Sequence, residues 1–307
     1  MGDIDIKEND KTLSLLNQNL TQITINKQSC NRSLQITNFN ASKNSIKQMI
    51  GISIFHNLRV LNLSHNQIQK IEGLTNLKQL CALILNNNQI KLIQGLEKCL
   101  ELNTLVLSNN QIINVQGISH LNKLEKLQLS HNQIEDLENC ICMNLEQLNV
   151  NNNKIQEIPK FFSQMTKLKR LDIGKNDIKD PQQMIVLRDL KLIHLNIAGN
   201  PCSDKAIQIA IKFPRIRFIN NLAAEKVLEQ HLSKVPQKIR EKTEKVQKKI
   251  SQPMVSYDLE QEQEAVIIKK PKRSQIVKVE KNKQIDKKQK QRIKNINLDQ
   301  ETKIEKW

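Results

Sequence analysis

Six cysteines and six histidines are the residues of this chain best suited to bind a metal or activate a nucleophile. Their spacing supports neither chemistry. Cys140 and Cys142 are separated by one residue, and with no second pair to complete four ligands they do not read as a zinc site. His56, His65, His120, His131, His194 and His231 stand singly, with no cysteine or carboxylate at ligand spacing. The 307 residues hold seven glycines and no glycine-rich phosphate loop, and no serine sits in a nucleophile elbow. The expectation is a protein that is not an enzyme and uses no metal and no cofactor. The cysteines are expected to be reduced, mostly buried thiols, as in a cytosolic protein.

Charge is the other chemistry on offer. The net charge is +17, and +9 of it lies in residues 222–307. Residues 266–294 alone carry 12 Lys/Arg against Glu280 and Asp286. Lys269, Lys270, Lys272, Arg273, Lys287, Lys288, Lys290 and Arg292 form the densest clusters, suited to a polyanion such as RNA or the acidic tails of tubulin. Lys269 to Arg273 also has the form of a nuclear import signal. The run lacks aromatics and apolar residues enough to build a core, so disorder is expected there. An acidic-polar linker, residues 251–264, precedes it. Before that, residues 223–250 read as helix, with Val227, Leu228, His231, Leu232 and Val235 on one side and Pro236 as an interruption.

What positions all these groups is a repeat. Leu58, Leu61, Leu63, Asn66 and Ile68 recur as Leu80, Leu83, Leu85, Asn88 and Ile90. They return at Leu102, Leu105, Leu107, Asn110, Ile112 and at Leu124, Leu127, Leu129, Asn132, Ile134, with the asparagines 22 residues apart. Weaker copies carry Asn44, Asn153, Asn176 and Asn200, and a degenerate one surrounds Leu13, Leu15, Gln18, Leu20 and Ile23. A fixed period of this length means a solenoid of stacked units.

Each position has a physical role. The L-x-L segment is a short strand with leucines inward and the alternate residues outward. Stacked turns pair these strands into a parallel sheet. The asparagine amide both donates and accepts, so it can satisfy backbone groups that the turn buries. Gly73, Gly95 and Gly117 recur at one offset and allow a tight return on the outer side.

These residues resemble a leucine-rich repeat protein. The even 22-residue spacing with I-x-x-I-x-G-L after the asparagine resembles the subclass typified by the regulatory subunit of protein phosphatase 1. That subclass also includes an axonemal dynein light chain and a spliceosomal A-prime protein. Phe213-Pro214-Arg215-Ile216-Arg217-Phe218-Ile219-Asn220 is similar to its C-terminal cap, with Asn220 in place of the usual aspartate. The resemblance implies an α/β fold: a right-handed leucine-rich repeat solenoid, parallel sheet on the concave face, short helices or 3-10 turns outside. The domains expected are an N-terminal cap region at 1–30, the solenoid with its C-terminal cap at 31–221, and a helical then disordered lysine-rich tail at 222–307. Arg215 to Phe218 also matches the basic-aliphatic-x-aromatic tetrapeptide that docks on phosphatase 1. Inside a cap, Ile216 and Ile219 should instead be buried.

The outward strand positions are the expected binding wall. Val60, Asn62, Ala82, Ile84, Thr104, Val106, Lys126, Gln128, Arg170 and Asp172 are its candidate partner contacts. Val60, Ala82, Ile84, Thr104 and Val106 form an uncharged, partly apolar strip over three strands. The only tyrosine and tryptophan, Tyr257 and Trp307, lie in the tail, and all six phenylalanines are expected in the core or on the outer face. Of the residue types favoured at interface hot spots, the wall then has Arg170 alone. The opening Met-Gly-Asp-Ile-Asp-Ile is too polar for a signal peptide, and no run is long enough to span a bilayer. The expectation is a cytoplasmic interaction scaffold, cytoskeletal or ciliary, with no integral membrane association. The alternatives are a regulatory subunit of protein phosphatase 1 and a nuclear ribonucleoprotein component.

Overall fold

In the computed structural model, residues 4–233 are described, and they build one eleven-stranded sheet ordered as the chain runs. The strands are β1 (Thr12–Ser14), β2 (Asn38–Asn40), β3 (Val60–Asn62), β4 (Ala82–Ile84), β5 (Thr104–Val106) and β6 (Lys126–Gln128). They continue as β7 (Gln147–Asn149), β8 (Arg170–Asp172), β9 (His194–Asn196), β10 (Phe218–Ile219) and β11 (Leu222–Ala223). Every pairing from β1 to β10 is parallel. From β1 to β9 the central residue of each three-residue strand faces the core: Leu13, Phe39, Leu61, Leu83, Leu105, Leu127, Leu148, Leu171 and Leu195 are all buried. The second leucine of each repeat lies just past the strand and is buried with them, so one continuous apolar column runs through the stack. The solenoid is the fold the period implied.

The asparagine ladder closes each turn. Asn88 Nδ2 donates to the Leu85 carbonyl of its own turn and to the Leu63 carbonyl of the turn before, each at 3.0 Å. Its Oδ1 accepts from the Ile68 backbone N–H at 2.9 Å. Asn66, Asn110, Asn132, Asn153, Asn176 and Asn200 repeat the arrangement. One side chain thus satisfies three backbone groups at each turn, because an amide both donates and accepts.

The residue before each ladder asparagine turns left-handed. Lys43, His65, Asn87, Asn109, His131, Asn152 and Lys175 hold φ between 50° and 57°. This conformation favours Asn and His among non-glycine residues, so His65 and His131 occupy positions set by the backbone. On the outer side Gly95 has φ +71°, and a Cβ there would stand 2.6 Å from the Ile71 carbonyl oxygen of the previous turn. Glycine is required both by conformation and by the closeness of the next coil.

The outer returns are mostly turns. Short 3-10 segments occur at Asn31–Gln35, Ile52–Ile54, Lys160–Gln164 and Pro181–Leu187, with α1 (Lys27–Cys30) and α2 (Ser203–Ala210) near the two ends. The degenerate first copy forms a turn of its own: β1 pairs with β2, and Asn44 Oδ1 accepts from Gln18 N–H and Leu20 N–H at 2.9 and 3.0 Å.

At the other end Ile219 is fully buried, whereas Ile216 is only half-buried. Asn220 Oδ1 accepts from Ile197 N–H and Ala198 N–H at 2.9 and 3.1 Å. The acceptor role an aspartate would fill is therefore kept. Asn220 and Asn221, with φ 51° and 66°, make a two-residue hairpin that brings β11 back antiparallel to β10. A short antiparallel strand blunts the sheet edge that a bare repeat would leave open. The helix α3 (Ala224–Ser233) follows and buries Val227. The chain divides into Met1–Lys242 and Thr243–Trp307. The rest of the helical stretch expected to residue 250, the linker, and Lys269, Lys270, Lys272, Arg273, Lys287, Lys288, Lys290 and Arg292 lie outside the described residues.

Candidate protein-binding wall

Strand register turns the outward positions into two straight rows. The first reads Val60, Ala82, Thr104, Lys126, Gln147, Arg170, His194, Phe218 from β3 to β10. The second reads Asn62, Ile84, Val106, Gln128, Asn149, Asp172, Asn196 from β3 to β9. Neighbours along a row are one strand spacing apart, about 4.8 Å. All ten candidate contacts of the sequence reading lie in these rows, and each is half-buried or exposed. The uncharged strip is contiguous: Ala82 lies between Val60 and Thr104, and Ile84 lies beside Val106.

Beyond β5 the wall changes character. A hollow of about 470 Å³ opens over it, reaching from Val106 and Lys126 to Phe218 and Asn221. Lys126 and Arg170 line it with His194, and among the described residues Asp172 is the only carboxylate lining it. Asp172 Oδ1 accepts from Gly174 N–H at 3.1 Å, Asn151 Nδ2 at 3.1 Å and Asn196 Nδ2 at 2.9 Å. That carboxylate is held in the wall by three donors. Asn62 has a similar local duty, accepting from Ser64 N–H at 3.0 Å. Both therefore shape the end of their strand.

Phe218 corrects the sequence reading, which placed every phenylalanine in the core or on the outer face. It stands on the wall, 36% exposed, with its ring stacked on His194. The signal was present in the chain: Ile219 aligns with the inward Leu195, so Phe218 must align with the outward His194. Read as a cap motif alone, the segment hid its place as one more strand. Burial and the nearby Arg170 guanidinium push the His194 imidazole below its ordinary pKa, so a neutral ring is favoured against Phe218.

Four of the six thiols, Cys99, Cys140, Cys142 and Cys202, are buried, and burial raises their pKa. Cys99 is pushed up to about 11 and Cys142 to about 12. Thiols held neutral in the core are poor nucleophiles. Cys30 is exposed and Cys81 half-buried. Among the described residues no three His, Cys, Asp or Glu gather as a metal set, and no helix is long and apolar enough to cross a membrane. What the wall offers is shape, charge and a ring stack.

Comparison with known proteins agrees with this architecture. A leucine-rich repeat family model matches residues 32–129, and a second, for two leucine-rich repeat copies, matches 144–188. Over these two spans the chain is similar to leucine-rich repeats. No curated protein matches it. Among solved structures it is similar to an internalin (inlF) of Listeria monocytogenes, at 23% identity and TM-score 0.51, over 68% of this chain and 66% of that one. A leucine-rich repeat protein of Leptospira interrogans is similar at 27% identity and TM-score 0.55, over 64% of this chain and 58% of that one. Internalin C2 of Listeria monocytogenes is similar at 24% identity and TM-score 0.53, over 62% of this chain and 82% of that one. The chain thus spans less than two thirds of the first two structures it matches, and these likenesses concern the fold.

Proposed function

We propose that this leucine-rich repeat chain is an interaction scaffold that holds a partner protein on the outward rows of its sheet. The observation that carries the reading is the continuity of those rows. An uncharged strip over β3–β5 runs without a break into a cationic hollow that ends on the His194–Phe218 stack. An apolar patch leading into an arginine and an aromatic has the residue types in which interface energy concentrates. The test is capture from the native cell with the tagged full chain, its Ile84→Glu and Arg170→Glu variants, and an outer-face control, Lys78→Glu. A protein retained by the native chain and the control but lost with both wall variants supports the reading. Equal retention by all four would remove it.

The lysine-rich segment supplies a second attachment in this reading. Its 12 basic residues between 266 and 294 favour an acidic polymer, with tubulin tails first, and a cytoplasmic site on a cytoskeletal or ciliary structure. RNA is the competing polyanion and would move the protein toward the nucleus.

A regulatory role toward protein phosphatase 1 is the second functional reading. It is favoured by the 22-residue spacing and by Phe218, which gives the wall the aromatic that the sequence reading lacked. Binding of purified phosphatase catalytic subunit, lost with Phe218→Ala, is the observation that would promote it.

A further inference from the structure

The docking-like tetrapeptide Arg215 to Phe218 is not available as a ligand. Arg217 N–H donates to the Ile193 carbonyl at 2.9 Å, and its own carbonyl accepts from Ala224 N–H at 2.8 Å. Lifting the segment out would break the cap. Its side chains instead help to build a receptor. A groove of about 450 Å³ lies along the edge of the sheet ahead of β8–β10, lined by Lys169, Lys191, Ile193, Pro214, Arg215, Ile216 and Arg217.

This groove differs from the wall in both floor and rim. Ile193 and Ile216 are half-buried and, with Pro214, supply an apolar floor. Four cations form the rim, and among the described residues no carboxylate lines it. Lys169 is paired with Glu146 at 2.7 Å, but Lys191, Arg215 and Arg217 meet no carboxylate among the described residues. Unneutralised cations around an apolar floor oppose self-association of like grooves and favour an anionic occupant with something greasy to bury.

We propose that this edge groove docks an acidic segment of a partner protein, with carboxylates flanking one aliphatic side chain. The aliphatic residue would sit on Ile193 and Ile216 while Arg215, Arg217 and Lys191 hold the carboxylates. A nucleic acid fits less well: the groove has no aromatic side chain on which a base could stack, and its apolar floor would be left facing phosphate and sugar. The groove shares no lining residue with the hollow on the wall, so a scaffold could grip one partner by its sheet face and a second by its edge.

The probe is a fluorescein-labelled peptide, Asp-Glu-Leu-Glu-Asp extended with glycine and serine, with photo-leucine at its centre, added to the full chain at 0.15 M salt. Arg215→Glu with Arg217→Glu should weaken binding about tenfold, since each exposed pair contributes modestly and reversal replaces two attractions with two repulsions. The photo-crosslink should fall on Ile193, Ile216 or their neighbours, and serine in place of the peptide's leucine should weaken binding as well. An unchanged melting temperature verifies that the double variant is folded, and the single Lys191→Glu variant, remote from the cap's hydrogen bonds, should weaken binding if the double variant is not. Crosslinks confined to residues 266–294, equal affinity for the serine peptide, or tighter binding of a single-stranded RNA 12-mer through the same arginines would each overturn the proposal.

Discussion

His194 lies flat against Phe218, ring centroids 4.4 Å apart and planes inclined by 6°. The stack joins the last full repeat, on β9, to the cap strand β10 at the far end of the hollow. The stacked ring of His194 is also shifted toward its neutral form. Burial and then Arg170 lower the pKa of His194 from its ordinary 6.5.

An NMR titration of His194 should therefore give a midpoint below 6.5, and Arg170→Gln should raise it toward that value. The unfolded chain takes up this proton first as pH falls through 6.5, so the contribution of neutral His194 to the fold is complete above 6.5 and is lost as pH drops toward the folded value. A midpoint at or above 6.5 would mean the ring is free of both influences.

The buried column and the ladder should respond differently to truncation. Leu105 is fully buried, and Leu105→Ala should cost about 2–5 kcal/mol through the cavity it leaves. Asn88→Ala removes a smaller volume but strands two carbonyls and an N–H, at roughly 1–3 kcal/mol for each group, so it should cost at least as much. Chemical denaturation of the two variants decides it. An Asn88→Ala chain as stable as the native one would show that water reaches those groups.

The thiols divide by burial. A disulfide-exchange reagent at neutral pH should modify Cys30 readily and Cys81 more slowly, with Cys99, Cys140, Cys142 and Cys202 reacting only after denaturation. Four or more rapid equivalents in the native protein would contradict the packing of the outer returns.

Much of this was legible in the chain, for a physical reason. Leu83, Leu105 and Asn88 face identical neighbours above and below, so the demands of one turn are printed in every other, and the register of the sheet follows from the spacing. The same regularity makes the outward rows readable as positions. What escaped is where a repeat is irregular or a role is carried by backbone geometry. Phe218 was misplaced because its cap segment lacks the ladder asparagine that would have set its register. The left-handed φ at His65 and His131 follows from the turn, which no side-chain periodicity announces. The edge groove brings Lys169, Lys191 and Arg217 together from three successive turns, and only the stacking makes them neighbours.

The tail should act by charge alone. Replacing Lys269, Lys270, Lys272 and Arg273 with glutamine in the full chain should reduce co-sedimentation with microtubules at low salt. The native chain should lose the same binding as salt rises, because the Debye length shrinks from about 10 Å at 0.1 M to about 3 Å at 1 M. Binding indifferent to both changes would remove the cluster from the mechanism. Preference for RNA over microtubules would favour the nuclear alternative.

The most direct test of the binding wall is hydrogen exchange on the full chain with and without a captured partner. Protection should appear in β3–β8, across Val60, Ile84, Val106 and Arg170, and Ile84→Glu should abolish both the protection and the complex while leaving the melting temperature unchanged. Protection confined to the outer returns, with Ile84→Glu binding as tightly as the native chain, would contradict it.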